Sequence, residues 1–333
     1  MYRSLATRTV RVTRELKLGH RAYHVRCSSS GHIVAASEDG KVSVAGPSQA
    51  LIGSFPLSTH LSSVSIAPDG QTLAVTTAQG VELLDIAGLR LQSIAGRFVD
   101  AWFDARGVLW LAHRTSDSRF VIELYEGMTA QGPSCRVELE DPFGDSALMF
   151  HAGPAGGSVP LWVAAGQDGQ AVYWLDHSGD ELTADLLDDF EECLPPALSP
   201  DDGDHFLLVA DGQELRLYDR DELAIVRRLP LPFGEAPVDD MIYLSPSSAA
   251  LMYGDGLMCV IDLNAMTSTD VVVAGHEPRP VSSLYPTLRE PGICSDLARL
   301  LRPSASTIAS VHAVLPDPRH LQHGSLVWWQ TPD

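Results

Sequence analysis

The feature that most narrows the folds open to this chain is a short unit that it writes again and again. The unit is a tight turn ending in Gly, followed by a short strand of alternating apolar and polar residues. It appears as EDGKVSVAG at 38–46, AQGVELLDI at 78–86 and QDGQAVYWLD at 167–176. It returns as ADGQELRLYD at 210–219, GDGLMCVID at 254–262 and QHGSLVWWQ at 322–330. A Gly after Asp or Gln supplies the positive φ that a tight hairpin demands, and strict alternation marks a strand with two unlike faces.

The spacing is regular. Counting from Asp85, equivalent positions fall at Glu126, Asp176, Asp219 and Asp262, in steps of 41, 50, 43 and 43 residues. The last step, to Gln330, is 68 residues and contains an insertion. Upstream of each unit lie a first strand, a turn and a second strand, as in VSIA, PDG and TLAVT of the stretch Val64 to Thr76. Gly31, Gly70 and Gly107 mark that earlier turn. Four strands every 40–45 residues is the period of a β-propeller blade. The spacing predicts one all-β domain over 1–333 with seven blades, at about 20–56, 57–96, 97–140, 141–188, 189–233, 234–276 and 277–330. Six or eight blades are the alternative counts. The seventh blade lacks a fourth strand, and the stretch 7–16 reads as an unattached one, so the N-terminal strand is expected to complete the last blade. Closure of that kind removes an exposed sheet edge.

These residues resemble the WD-repeat family. Asp39, Asp168, Asp211 and Asp255 match its turn Asp; Asp85, Asp176, Asp219 and Asp262 match its closing Asp; Gly19-His20 and Gly275-His276 match its Gly-His pair. The family's Trp is replaced by Leu84, Leu175, Tyr218 and Ile261, so the repeats are degenerate. The resemblance implies that His20 and Asp39 belong to a structural hydrogen-bond network. It also implies a scaffold or adaptor that holds protein partners, rather than an enzyme.

Composition bounds the partners. With 43 acidic and 23 basic side chains the formal net charge is −20, which repels nucleic acid and anionic membrane. A protein with a basic docking surface is the expected partner. No run of 18 apolar residues suits a membrane span. The five cysteines, Cys27, Cys135, Cys193, Cys259 and Cys294, are widely spaced and contain no CxxC, which fits neither a disulfide framework nor a zinc site and points to a reducing cytoplasm. Scarce lysine with abundant Ala, Gly and Pro is the bias of a GC-rich bacterial genome.

No nucleophile elbow, phosphate-binding loop, HExxH or EF-hand pattern is present, and no cofactor is expected. Propeller enzymes gather acids or His on their inner strands. The inner strands here offer Asp104 and His151 at most, so a hydrolase or a small-ligand or metal binder at the axis is the runner-up. Two regions are candidates for partner binding. One is the acidic run holding Asp185, Asp188, Asp189, Glu191 and Glu192, expected as a solvated loop or short helix. The other is the insertion at 285–306, where Leu297, Arg299 and Leu300 lie on an expected short helix.

Overall fold

The computed structural model describes residues 7–273 and 325–330, apart from 10, 21, 23, 29–30, 38, 58, 116, 118, 128–131, 144–145, 151–157, 165–168, 192, 195, 200–204, 232–237 and 254–256. Leu297, Arg299, Leu300, Glu192, Asp168, Asp255 and His151 lie outside the described residues. Everything described is strand, turn or extended chain.

Two short N-terminal strands, β1 (Thr7–Thr9) and β2 (Arg11–Lys17), precede the first sheet. That sheet is β3 (His24–Cys27), β4 (Ile33–Ala36), β5 (Lys41–Ala45) and β6 (Leu51–Pro56). The second is β7 (Leu61–Ile66), β8 (Thr72–Thr77), β9 (Gly80–Asp85) and β10 (Arg90–Ala95). The third is β11 (Phe98–Phe103), β12 (Leu109–Arg114), β13 (Arg119–Tyr125) and β14 (Cys135–Glu140). The fourth is β15 (Ala147–Phe150), β16 (Ser158–Ala164), β17 (Gln170–Ser178) and β18 (Glu181–Phe190). The fifth is β19 (Ala197–Leu198), β20 (His205–Ala210), β21 (Glu214–Asp219) and β22 (Ile225–Pro230). The sixth is β23 (Val238–Ser245), β24 (Ser248–Tyr253), β25 (Leu257–Asp262) and β26 (Thr267–Val273). Within each sheet the four strands pair antiparallel in chain order, the meander that short turns enforce.

The N-terminal stretch does not form one strand. β1 pairs in parallel with β26 and adds a fifth strand to the outer edge of the sixth sheet. β2 then pairs antiparallel with β27 (Ser325–Gln330), from Arg11 opposite Gln330 to Lys17 opposite Ser325.

The strand sequences follow from where each strand sits. Second strands pack against neighbouring sheets on both faces, so β4 (IVAA) and β8 (TLAVTT) are buried along their whole length. Outer strands have one wet side, and β6, β10 and β22 are exposed or half-buried throughout. First strands line up side by side: β3 touches β7, β7 touches β11, β11 touches β15, and β19 touches β23. Between sheets lies apolar packing such as Val34, Val44, Val64 and Val75, and farther along Trp110, Phe120, Phe150 and Tyr173. Trp174, Phe206 and Tyr218 form a ladder with ring centroids 4.8 Å and then 4.9 Å apart. Cys135, Cys193 and Cys259 are buried free thiols.

The closing aspartates make the turns. Asp85 Oδ1 accepts the N–H groups of Ala87 and Leu89 at 2.9 and 2.8 Å. Asp219 Oδ1 accepts those of Asp221 and Glu222, both at 2.9 Å, and Asp262 Oδ1 those of Asn264 and Ala265 at 2.8 and 3.0 Å. Each carboxylate occupies turn N–H groups that have no strand partner, which is why Asp ends the third strand. Gly40 sits at φ 87°, and a Cβ there would lie 2.6 Å from the Thr59 carbonyl oxygen, so the turn before β5 needs glycine.

Through Phe190 the acidic run is strand, not loop or helix. Its residues up to Phe190 belong to β18, which begins with buried Leu182 and ends with buried Phe190. Inward anchors at both ends hold the segment against β17, from Ser178 opposite Glu181 to Gln170 opposite Phe190, with a bulge near Leu186. Burial of those anchors overrides the poor strand propensity of Asp.

Candidate functional site

The inner strands carry the most concentrated buried polar chemistry. Arg26, Ser63 and Asp100 are each the third residue of their strand, β3, β7 and β11, and fall 37 residues apart. All three side chains are buried, Asp100 at 3% exposure and Arg26 at 5%. In β7 and β11 a bulge falls just before this position, between Leu61 and Ser63 and between Phe98 and Asp100. A bulge re-aims the next side chain; it turns Ser63 and Asp100 inward and leaves Val99 exposed.

Asp100 is the hub. Its Oδ2 accepts the Phe150 N–H from β15 at 2.8 Å, and its Oδ1 accepts the Ala101 N–H at 2.9 Å. The Ala101 N–H also reaches Ser63 Oγ at 3.2 Å, and the Phe103 N–H reaches Ser65 Oγ at 3.0 Å. Ser63 donates to Thr76 Oγ1 at 2.9 Å. Burial pushes the Asp100 carboxyl above the usual carboxylate range, against the pull of the Arg26 guanidinium, the Phe150 N–H, the Ser63 hydroxyl and the Ala101 N–H. One carboxyl thus engages groups from four successive inner strands.

Asp104, the inner-strand acid that sequence singled out, is spent locally. Its Oδ1 accepts the Arg106 and Val108 N–H groups at 2.9 and 3.0 Å. Its Oδ2 accepts Arg106 Nη2 at 2.8 Å, Arg106 Nε at 3.0 Å and Trp110 Nε1 at 3.2 Å. Sequence reasoning passed over Asp100 in its favour. The missed signal was a polar residue at one fixed place in three successive repeats.

A second cluster joins the third and fourth sheets. Arg106 Nη2 donates to His177 Nδ1 at 3.1 Å, which places the neutral imidazole's proton on Nε2. That nitrogen lies 3.7 Å from both Cys135 Sγ and Glu126 Oε1, and the Cys135 thiol donates to the Asp180 carbonyl at 3.3 Å. With Nδ1 taken by a cation and Nε2 protonated, the imidazole has no lone pair to offer a metal. Among the described residues no group of three or more His, Cys, Asp or Glu is placed to hold one.

The other predicted positions scatter around the sheets. His20 Nε2 lies 2.9 Å from Ser43 Oγ. Asp39 is exposed, hydrogen-bonded by Ser37 and 3.5 Å from Lys41 Nζ; the Ser37 bond and then the Lys41 charge hold its carboxyl below the usual range. Asp211 occupies a turn at φ 53° and pairs with Arg216 at 3.3 Å, and Asp176 lies on β17. Asp185 and Glu191 are exposed, on and just after β18; Asp188 and Asp189 belong to the same strand's backbone.

No known protein family and no curated protein sequence matches this chain. Among solved structures it is similar to hydrazine synthase of Kuenenia stuttgartiensis, with a TM-score of 0.50 over 73% of this chain and 77% of that one, at 13% identity. A likeness at that identity concerns fold alone. Together with the successive four-stranded antiparallel sheets, it puts the chain in the all-β, β-propeller class of architecture. Among the described residues no helix is long and apolar enough to cross a membrane.

Proposed function

We propose that this chain is a seven-bladed, WD-repeat-like propeller that serves as a non-enzymatic docking platform for proteins, in the cytoplasm of a bacterium. The pairing of β2 with β27 supports a seventh blade built from both ends of the described chain. The observation that carries the docking reading is where apolar side chains meet water. Of the exposed large apolar residues, Leu51, Ile52, Leu89, Leu91, Leu186 and Val226 lie on outer strands or in the turn before one. Four of these, Leu51, Ile52, Leu89 and Leu91, belong to the first two sheets, whose outer parts touch. The Gly53 backbone packs on the Ile86 carbonyl, and Gly88 packs on the Phe55 ring. Large apolar side chains left in water along the outer strands are what a contact surface for another protein would use. The inner acid, by contrast, is committed to holding strands together.

The test is a pull-down of the tagged protein from its native host at low and high salt, read by mass spectrometry. Stoichiometric enrichment of one or two proteins is expected. An empty result under both conditions overturns the platform reading in favour of a ligand or substrate at the axis, to be pursued by metal analysis and ligand screening.

A further inference from the structure

The charge of this protein is one-sided. Residues 141–273, which form the fourth to sixth sheets, hold 25 of the 43 acidic side chains and only 4 of the 23 basic ones, a net of −21. The rest of the chain has 18 acidic and 19 basic residues and is close to neutral. Within the acidic half, β18 is the longest strand at 10 residues, and it is the outermost strand of its sheet. In an antiparallel pair every second residue of an outer strand turns its N–H and C=O away from its partner, so such an edge is a template for another strand. Glu181, Thr183, Asp185 and Leu186 are exposed along it.

The molecule itself shows that a blade of this kind accepts a fifth strand. β1 lies on the outer edge of β26 in the sixth sheet, with Thr7 opposite Val271, Arg8 opposite Val272 and Thr9 opposite Val273. The added segment comes from a basic stretch, TRTVRVTR at 7–14, and it lands on a strand of the acidic half.

We propose that the outer edge of β18 is a docking edge that takes an extended, basic segment of a partner protein as a fifth strand. The proposal rests on the platform reading above and names the place and the chemistry. Backbone hydrogen bonds give the pairing, exposed Leu186 offers an apolar contact, and Glu181 and Asp185 select for Arg or Lys on the incoming strand. The same carboxylates disfavour the β18 edge of a second copy, because two acidic edges laid side by side repel.

The test uses the full-length protein and a short fluorescein-labelled peptide of alternating Arg and Val, followed by anisotropy. Saturable binding is expected at low salt. The exposed double variant Glu181→Lys/Asp185→Lys should weaken it about tenfold, while Asp221→Lys/Glu222→Lys, on the turn between β21 and β22, should change it less than about twofold. A peptide of the same sequence N-methylated at alternate amides should also lose about tenfold, because it cannot complete the ladder. Absent binding, equal loss in both variants, or an N-methylated peptide that binds as well as the parent each overturns the proposal. So does self-association of the protein that the Glu181→Lys/Asp185→Lys variant abolishes, since the edge then belongs to a second copy. Pull-downs with this variant separate the two readings. A partner that wild type and variant retain equally removes the β18 edge but keeps the platform, whereas no partner for either removes both.

Discussion

Replacing Asp100 with Ala takes away the carboxylate acceptor of the buried Phe150 N–H, leaves the Ala101 N–H to Ser63 Oγ, and removes the carboxyl beside the buried Arg26 guanidinium. An orphaned buried donor costs about 1–3 kcal/mol, and more when, as for the Arg26 guanidinium, it is charged. Together the two give an expected loss of about 3–5 kcal/mol. A chain of 333 residues has an unfolding entropy of about 0.7 kcal/mol/K, so the melting temperature should fall by about 4–7 °C. Calorimetry or circular dichroism reads this directly. Arg26→Met added to Asp100→Leu should recover part of the loss, because the guanidinium is then no longer stranded. pH supplies a second readout. The folded carboxyl titrates above its ordinary value of 3.8, so its contribution is fully present below 3.8 and is lost as pH rises through the raised value. Asp100→Asn should remove that slope, so the gap between wild type and variant should narrow as pH rises from below 3.8 through the raised value. An Asp100→Ala variant melting within about 1 °C of wild type would refute the view that this carboxyl clamps the inner strands.

Three further outcomes are expected. Gly40→Ala should cost about 1–3 kcal/mol in a urea titration, because the new Cβ meets the Thr59 carbonyl and the residue must hold a positive φ. Arg114→Met should cost about 3 kcal/mol by the same assay: its Nη2 lies 2.8 Å from Asp141 Oδ2, whose side chain is fully buried, and 2.5 Å from the Ser146 carbonyl. Asp85→Ala, Asp219→Ala and Asp262→Ala should each cost about 0.5–1 kcal/mol and add when combined, since the turns share no partner.

Much of the fold was legible because turn chemistry is local. Asp, Gln and Gly announce a turn wherever they stand in the repeat, and alternation announces a strand, so the four-strand period could be read from residues a few places apart. β18 was misread because Asp weighs against strand in isolation, while the deciding groups, Leu182 and Phe190, lie at the ends of the run and act through burial. The N-terminal stretch was read as one strand because nothing local shows that Thr7 to Thr9 meet β26 while the residues after them meet β27. Asp100 was missed for a related reason. In VDAWFD two acids stand four residues apart, and only the bulge at Val99 decides which of them enters the shared network and which makes a turn.

The pairing of β2 with β27 has a consequence for how the chain comes into being. The two strands are separated by roughly 310 residues, so the first of them leaves the ribosome long before its partner exists. At about 5–20 residues per second that wait is about 15–60 s, while β-hairpins of the intervening sheets form in microseconds. Through that interval the nascent protein is a row of finished sheets preceded by the unmatched strand β2. Translation must pass residues 325–330 before that strand has a mate, and a chaperone or a second nascent copy has that interval in which to claim it.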